Sequence, residues 1–473
     1  MKSAEYVIIG GGPTGLGAAH RLCELNQSDW VLLEKSGSLG GLASSVVDEQ
    51  GFIWDLGGHV LFSHYDYFDN LLSDILKENW LEHQREAWIW MRNQWIPYPF
   101  QNNMWRLPEK DLEKCLTGLD RLKANETSTA DMDFDEWIVA SFGEGIADVF
   151  MRPYNFKVWA YPPHELAANW VGERVATINK GDVLRNIKAK ADVKSWGPNA
   201  VFRFPAEGGT GTIWSELGSR LPEENIVLNT EVQEIDSEKR VVTCGDGQQF
   251  KYRKLITTMP LPVTIERLRG EIRADFPFDK LEQFKWSSTH VIGLGIEGST
   301  PEQLGSKCWM YFPEDNVPFY RATVFSNYSP KNVPLPGRQW SLMCEISESA
   351  RKKVNHATAI SDTIQGLHSI GVLPKDAKLV STWKKFLPFG YPTPFLGRDE
   401  ILNDFIPRLE ARNIFSRGRF GGWKYEVSNQ DHSLMQGVEL INALLLDEKE
   451  QTYSIRLRLI RVDYVLSAGT LSM

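Results

Sequence analysis

The apolar run Tyr6-Val7-Ile8-Ile9 leads directly into Gly10-Gly11-Gly12-Pro13-Thr14-Gly15, and this junction restricts the possible folds more than any other part of the chain. Such a run suits a buried parallel strand. The glycines match G-x-G-x-x-G, and a helical pattern follows in which Leu16, Ala19, Leu22 and Cys23 face one way. A second apolar run, Trp30-Val31-Leu32-Leu33, ends in Glu34. Strand, glycine turn, helix and strand make the βαβ setting in which this motif is specific for a dinucleotide. The glycines let the backbone turn tightly and approach a pyrophosphate, whose charge rests on the helix N-terminus. Glu34, about 20 residues on, is placed to accept from adenosine ribose hydroxyls. Gly10, Gly12, Pro13, Thr14, Gly15 and Glu34 are therefore expected to bind cofactor.

At 473 residues the chain is too long for one compact core, and two or three domains are expected. The formal charge of −9 lacks the basic excess that a nucleic-acid partner calls for. It leaves room for an anionic small ligand, because a few converging arginines make a local positive pocket. The five cysteines are scattered and never form Cys-x-x-Cys, which disfavours a disulfide framework or a structural zinc site and fits a reducing, cytoplasmic compartment. No run of 18 apolar residues predicts a membrane span, and the strand reading by residue 6 leaves no place for a signal peptide. The 17 tryptophans suit core packing or an aromatic ligand site.

Residues 34–43, which include Lys35, Gly40, Gly41 and Leu42, resemble the second glycine segment of the amine-oxidase-like flavoproteins. In that superfamily the segment lies against the ribityl-phosphate end of FAD, so the resemblance implies FAD. Asn229-Thr230-Glu231-Val232 is similar to its adenine-side strand, and Leu255-Ile256-Thr257-Thr258-Met259-Pro260 follows. A late segment near Gly418 is expected to close the flavin ring site.

Eight longer stretches narrow the resemblance to the UDP-galactopyranose mutase family, eukaryotic branch. They are GGHVLFSH (57–64), WIPYPFQNN (95–103), MRPYNFKVWA (151–160), WVGERVA (170–176), SWGPNAVFRFPAEGGTG (195–211), YFPEDNVPFYRATVFSNYSP (311–330), FGYPTP (389–394) and SRGRFGGWKYEVSNQDHS (416–433). The resemblance implies a mixed α/β fold with a discontinuous Rossmann-like FAD-binding domain (residues 1–95, 200–265 and 386–450). A helical insertion (96–199) carries the uridine residues. An antiparallel-sheet domain (266–385) is suggested by alternation such as His290-Val291-Ile292-Gly293-Leu294. After Glu439 the resemblance fades, and residues 451–473 form an atypical tail.

The resemblance also implies roles. Gly57, Gly58 and His59 would lie beside the flavin N5 edge, and His64 reads as structural. Arg174 and Arg321 would bind the UDP diphosphate, with phenolic donors from Tyr311, Tyr391 and Tyr425. Arginine suits phosphate because its planar fork donates two parallel hydrogen bonds. One such arginine alone is more often a surface ion pair; the joint match carries the assignment. Tyr98 and Gln101 would meet uracil, with Asn155, Phe156 and Trp159 bordering the sugar-nucleotide; the bland alternative is a proline turn and a packed aromatic face. Asn199 would close as a lid with the loop carrying Arg174. Asn429, Gln430 and Ser433 would contact flavin, though Asn429 also suits a helix cap. His59, Arg174 and Arg321 form the implied catalytic set. No pair of acidic residues stands out.

The implied reaction is redox-neutral yet needs reduced FAD: flavin N5 takes the anomeric carbon from UDP as an adduct, the sugar ring opens and recloses, and UDP returns. UDP-galactopyranose and UDP-galactofuranose are the implied partners. NADPH is the implied reductant, held by Arg85, Tyr98, Tyr311 and Arg419 in the same cleft, since no second glycine fingerprint has a βαβ setting. Fungal members carry serine where Ala87 stands. An FAD-dependent oxidase or desaturase is the rival reading; it shares the fold but not the arginine and uridine motifs. A silent sugar-nucleotide binder is the other, and it would be expected to lose pocket residues that are present here.

Overall fold

The computed structural model describes residues 1–122, 132–172, 175–176, 178–194 and 201–454. Its first element is the buried strand Lys2–Ile9, which pairs in parallel with Trp30–Leu33 on one side and Gln249–Thr257 on the other. The eight-stranded sheet runs Leu268–Arg269, Val232–Asp236, Val241–Cys244, Gln249–Thr257, Lys2–Ile9, Trp30–Leu33, Ile226–Val227, and Ile414–Ser416 joins Gln249–Thr257 in parallel. Segments far apart in sequence thus complete one sheet. The fingerprint helix Pro13–Glu24 lies against the last long helix, Gln430–Leu446. Their backbones approach closely because each offers a glycine: a Cβ on Gly17 would sit 2.5 Å from the Leu434 carbonyl oxygen, and one on Gly437 2.1 Å from that of Thr14.

The seven-stranded sheet runs Leu379–Pro392, Trp286–Glu297, Gln339–Glu348, Arg321–Val324, Trp309–Tyr311, Ala87–Met91, Gln94–Pro97. The last two strands come from the N-terminal segment, and Ala87–Ile89 runs parallel to Trp309–Tyr311. The strand Leu379–Pro392 passes straight through position 386. Trp286–Glu297 is buried from His290 to Ile296 rather than alternating with solvent. Its side chains do alternate, but both faces are covered. Ile292, Leu294 and Ile296 pack with Leu367 of helix Ala359–Ser369, while Val291 joins the core around Trp54.

This second face positions the site. Gly293 and Gly295 leave room for the rings of Trp54 and Phe52, which a Cβ would meet at 2.6 and 2.5 Å. Trp54 also stacks on Phe325 and Trp383 at 6.4 and 6.0 Å, and donates Nε1 to Asp48 at 2.8 Å. Trp54 belongs to the hairpin of Ser45–Val47 and Ile53–Asp55, whose exit is Leu56-Gly57-Gly58-His59. Sheet packing therefore fixes the root of the glycine–histidine loop.

Among the described residues between 96 and 194, the long elements are helices: Glu109–Asp120, Phe134–Ile146, Arg152–Trp159 and Lys180–Ala189. Phe134–Ile146 starts on a reciprocal capping box between Asp133 and Glu136. Beyond residue 446 the chain doubles back. Glu439 accepts from the amides of Gln451 and Thr452 at 2.8 and 2.7 Å, and Tyr453 covers Arg417 and Lys424 at 4.4 and 4.5 Å. Residues 451–454 of the atypical tail are docked against the last helix and the segment around Arg417.

Candidate active site

Gly10 turns the chain at φ +102°, directly above Thr258, whose amide and hydroxyl both donate to the Ile9 carbonyl at 2.9 and 3.0 Å. A Cβ on Gly12 would meet nothing nearer than 3.9 Å, and what it would face is Gly40 and Gly41. Gly40 donates its amide to the Gly11 carbonyl at 2.8 Å, so the two glycine segments form the opposite walls of one cradle. Gly12 is the N-cap of helix Pro13–Glu24 and supplies no side-chain cap, while Pro13 fills the first position. First-turn amides, including those of Thr14 and Gly15, are thus left for an anion. Glu34 is buried and accepts from the Gly11 amide at 2.7 Å and the Ser36 amide at 2.8 Å, tying the turn to the second strand. Thr230 donates to the Glu34 carbonyl and Asn229 to that of Ser36, which brings the strand containing Val232 alongside. Met259 and Leu42 are half-buried nearby, and Lys35 is exposed. Open space walled by glycine backbone beside a buried carboxylate fits a dinucleotide such as FAD.

Gly418, at φ +88°, donates to Gln436 at 2.7 Å, and a Cβ there would sit 2.6 Å from the Thr14 hydroxyl. The late segment thus packs on the helix that opens the cradle. Asn429 occupies the N-cap of helix Gln430–Leu446 but makes no side-chain capping bond. Its carbonyl accepts from the Ser433 amide at 2.8 Å, and Gln430 accepts from Trp214 Nε1 at 2.8 Å. His64 Nδ1 lies 2.8 Å from Asp431, which makes it a fastening of this helix start.

The loop above the cradle is held by a residue the sequence reading passed over. Gly57 adopts φ +138°, and the Gly58 amide donates to Glu345 at 3.0 Å. The same carboxylate accepts from Arg321 Nε at 2.7 Å, Arg321 Nη2 at 2.6 Å and the Tyr320 hydroxyl at 2.8 Å. Burial alone would push the Glu345 carboxyl up, but the Arg321 charge and these donors outweigh it and hold it below the usual carboxylate range. Arg321 also lies over the Trp309 ring at 4.7 Å. It is not a free phosphate binder at rest; it is one half of a buried, fork-to-fork ion pair.

Around it lies a cationic, aromatic wall. Arg85 donates to the Tyr311 hydroxyl at 3.0 Å and faces the Trp309 and Tyr98 rings at 5.2 and 6.0 Å. It makes no ion pair among the described residues, and its buried Nε has no hydrogen-bond partner. Arg419 donates to the carbonyls of Gly390 and Ser428 and faces Tyr391 and Tyr425 at 4.9 and 5.9 Å. Trp159 meets Tyr425 edge-on at 4.8 Å, Trp170 at 5.0 Å and Tyr391 at 5.9 Å. Tyr98 and Tyr154 approach Tyr311 at 5.3 and 5.2 Å. Two expected amides are engaged internally: Gln101 Nε2 donates to the Ala176 carbonyl at 2.5 Å, and Asn155 Nδ2 to that of Met151 at 2.8 Å. Phe156 is half-buried on the same helix. Arg174, Asn199 and the loop at Gly197-Pro198 lie outside the described residues.

The family model of flavin containing amine oxidoreductases matches residues 13–335. A crystal structure of reduced UDP-galactopyranose mutase is 47% identical with a TM-score of 0.92, covering 96% of this chain and 97% of that one. The chain belongs to the UDP-galactopyranose mutase family. Membership makes it a flavin-dependent mutase. More distant likenesses show the fold alone. A putative protoporphyrinogen oxidase from Exiguobacterium sp. 255-15 is 17% identical with a TM-score of 0.71, covering 94% and 99%. A CLA-producing fatty acid isomerase from P. acnes is 13% identical with a TM-score of 0.62, covering 93% and 99%.

Within this mutase fold, Asp55 is the second acidic residue that the sequence reading passed over. It is fully buried, accepts from Ser45 Oγ at 2.6 Å and from Thr210 Oγ1 and N at 2.7 and 3.2 Å, and its Oδ2 lies 3.9 Å from His59 Nδ1. Burial drives its carboxyl up to about 7, with those three donors opposing the rise. His59 is driven the other way, down to about 4, mainly by burial, with Arg419 and Arg321 adding to the drop against the opposing pull of Glu345. His59 is therefore a neutral imidazole at neutral pH.

The two shifts have opposite consequences. A raised folded-state pKa makes Asp55 contribute stability that is full below 3.8 and lost as pH rises through about 7. The lowered pKa of His59 makes its contribution full above 6.5 and lost as pH falls towards about 4. Asp55→Asn keeps the oxygen acceptor and removes only the first dependence. The variant should gain stability relative to the parent as pH rises from 3.8 to about 7, since His59 cancels in the comparison. Urea unfolding midpoints of both proteins across that range check it; a constant difference would mean Asp55 does not titrate there.

Proposed function

We propose that this mutase interconverts UDP-galactopyranose and UDP-galactofuranose with FAD in its reduced state and without net consumption of reductant. One observation carries the reading: the Gly58 amide and the Arg321 guanidinium share the Glu345 carboxylate, so the loop over the flavin cradle and the arginine assigned to the diphosphate are built as one unit. When bound, reduced FAD would supply nucleophilic chemistry at N5 toward the anomeric carbon. The chain's work is to hold UDP while it is detached, aim the anomeric carbon and exclude water. Arg85 brings charge to the pocket with no carboxylate partner among the described residues, Arg321 brings its remaining guanidinium edge, and Tyr311, Tyr391 and Tyr425 bring phenols. Tyr98, Gln101, Asn155, Phe156 and Trp159 form the proposed uridine wall, with Arg174 and Asn199 closing over it. Neutral His59 sits at the flavin edge without adding a charge there. A cytoplasmic setting belongs to the same reading, supported by five free cysteines.

The test is anaerobic incubation of UDP-galactofuranose with dithionite-reduced and with oxidised enzyme. UDP-galactopyranose should form only in the reduced sample, with the flavin still reduced afterwards. Stoichiometric loss of reduced flavin would favour an oxidase. A second arm replaces dithionite with NADPH, for which Arg85, Tyr98, Tyr311 and Arg419 are the proposed holders. Ala87 is buried there, its carbonyl accepting from the Tyr98 amide at 3.0 Å, and it offers no hydroxyl. One missing neutral hydrogen bond costs about 1 kcal/mol, several-fold in affinity. NADPH should still bleach the flavin band near ~450 nm, and UDP should compete with it. Bleaching by dithionite but not by NADPH would remove NADPH while leaving the mutase reading intact.

A further inference from the structure

The sheet face opposite the active site carries a cluster of metal-binding side chains that the mutase reaction does not use. Along the strand Gln339–Glu348, Glu345 faces Arg321, whereas Glu348 shares the other face with Cys344 and Ile346. There His290 Nε2 and His356 Nε2 both point at one oxygen, Glu348 Oε2, each at 2.8 Å. The ligand atoms of the three residues all lie within 4.8 Å of one another. His290 is wholly buried in the strand Trp286–Glu297, and His356 is half-exposed on the loop that follows Glu348. Their rings meet at 4.5 Å, and Phe386 walls both at 4.8 and 4.9 Å.

We propose that His290, Glu348 and His356 form a zinc-class transition-metal site that clips the loop after Glu348 to the sheet. Two imidazole nitrogens and one carboxylate oxygen, with a fourth position open to water, are a ligand set that zinc accepts. Lys384 fixes the loop by donating to the His356 carbonyl at 2.7 Å. Tetrahedral metal–ligand bonds of about 2.0–2.2 Å place ligand atoms about 3.4 Å apart, so each histidine nitrogen, now 2.8 Å from Glu348 Oε2, would have to move from that oxygen by about half an ångström.

The experiment is calorimetric titration of zinc chloride into the purified FAD-loaded enzyme, alongside His356→Gln and Glu348→Gln. The parent should bind one saturable equivalent, released by EDTA. Each variant should bind at least about tenfold more weakly, the lower end of what even an outer-shell partner costs. Both substitutions are partly exposed and conservative, and an unchanged flavin spectrum would report that each variant is folded. Absence of saturable binding in the parent overturns the proposal. So does undiminished binding in both variants, which would move the ion to the His64, Asp431 and His432 cluster at the start of the last helix. Mutase turnover is a separate readout, so failure here leaves the proposed function untouched.

Discussion

Arg321→Ala should destabilise the enzyme by about 3–5 kcal/mol, because it strands the Glu345 carboxylate in a buried site. That carboxylate is 2% exposed and would keep only the Tyr320 hydroxyl and the Gly58 amide. UDP affinity should fall as well, about tenfold to a hundredfold, the worth of one charge-assisted hydrogen bond. The two losses have different origins and can be separated. The double variant Arg321→Met with Glu345→Leu replaces the pair by apolar side chains of similar volume, which is often neutral for stability. It should recover part of the unfolding free energy, since the Gly58 amide and the Tyr320 hydroxyl lose their acceptor, and none of the UDP affinity. Recovery of both would mean that Arg321 reaches the ligand only by keeping the site folded. Thermal midpoints with and without UDP, and UDP binding by calorimetry, supply both numbers.

The FAD side of this molecule was legible because its constraints are local. Gly10, Gly12 and Gly15 act within one turn, and Glu34 follows one helix later, so spacing alone places them. Gly418 was placed by resemblance, and its contact with Thr14 follows from the crossing of the first and last helices. Glu345 was missed because its partner lies 24 positions away and the surrounding segment reads as a plain buried strand. The available signal was a lone carboxylate inside that apolar run, which must find a cation or shift its pKa. Asp55 gave the same kind of signal at the end of a short strand. Both were overlooked because the proposed chemistry had no use for an acid, whereas here the acids position the residues that act.

Gln101 and Asn155 show the reverse case: their amides are bonded to nearby backbone carbonyls. A motif fixes which residue is present, not what its donors do before ligand arrives. The strand containing His290 to Leu294 keeps its period of two, but a helix on one face and the Trp54 hairpin on the other make the alternation invisible as polarity.

Gly437→Ala should be the second severe change, and it touches no ligand. The added methyl would stand 2.1 Å from the Thr14 carbonyl oxygen, 2.7 Å from the Ala18 amide nitrogen and 3.1 Å from the Thr14 carbonyl carbon. All three are backbone atoms inside the first helix, so no side-chain rotation relieves the contact. The helices must separate, and overpacking of this kind costs about 1–3 kcal/mol or more. Separation should also cost cofactor. The N-terminus of the first helix faces the pyrophosphate cradle, and the last helix begins beside Gly418, which itself rests on Thr14. Moving one helix start against the other opens both ends of the FAD site together. The purified variant should show a lowered thermal midpoint and a reduced ratio of flavin to protein absorbance, partly restored by added FAD. Gly181→Ala is the control. That glycine is exposed in the first turn of helix Lys180–Ala189, its Cβ would meet only side-chain atoms at 3.3 and 3.4 Å, and alanine is the better helix former by about 1 kcal/mol. It should be neutral or mildly stabilising with full flavin content. Equal flavin content in both variants would show that the first and last helices bear on stability without setting the geometry of the cofactor site.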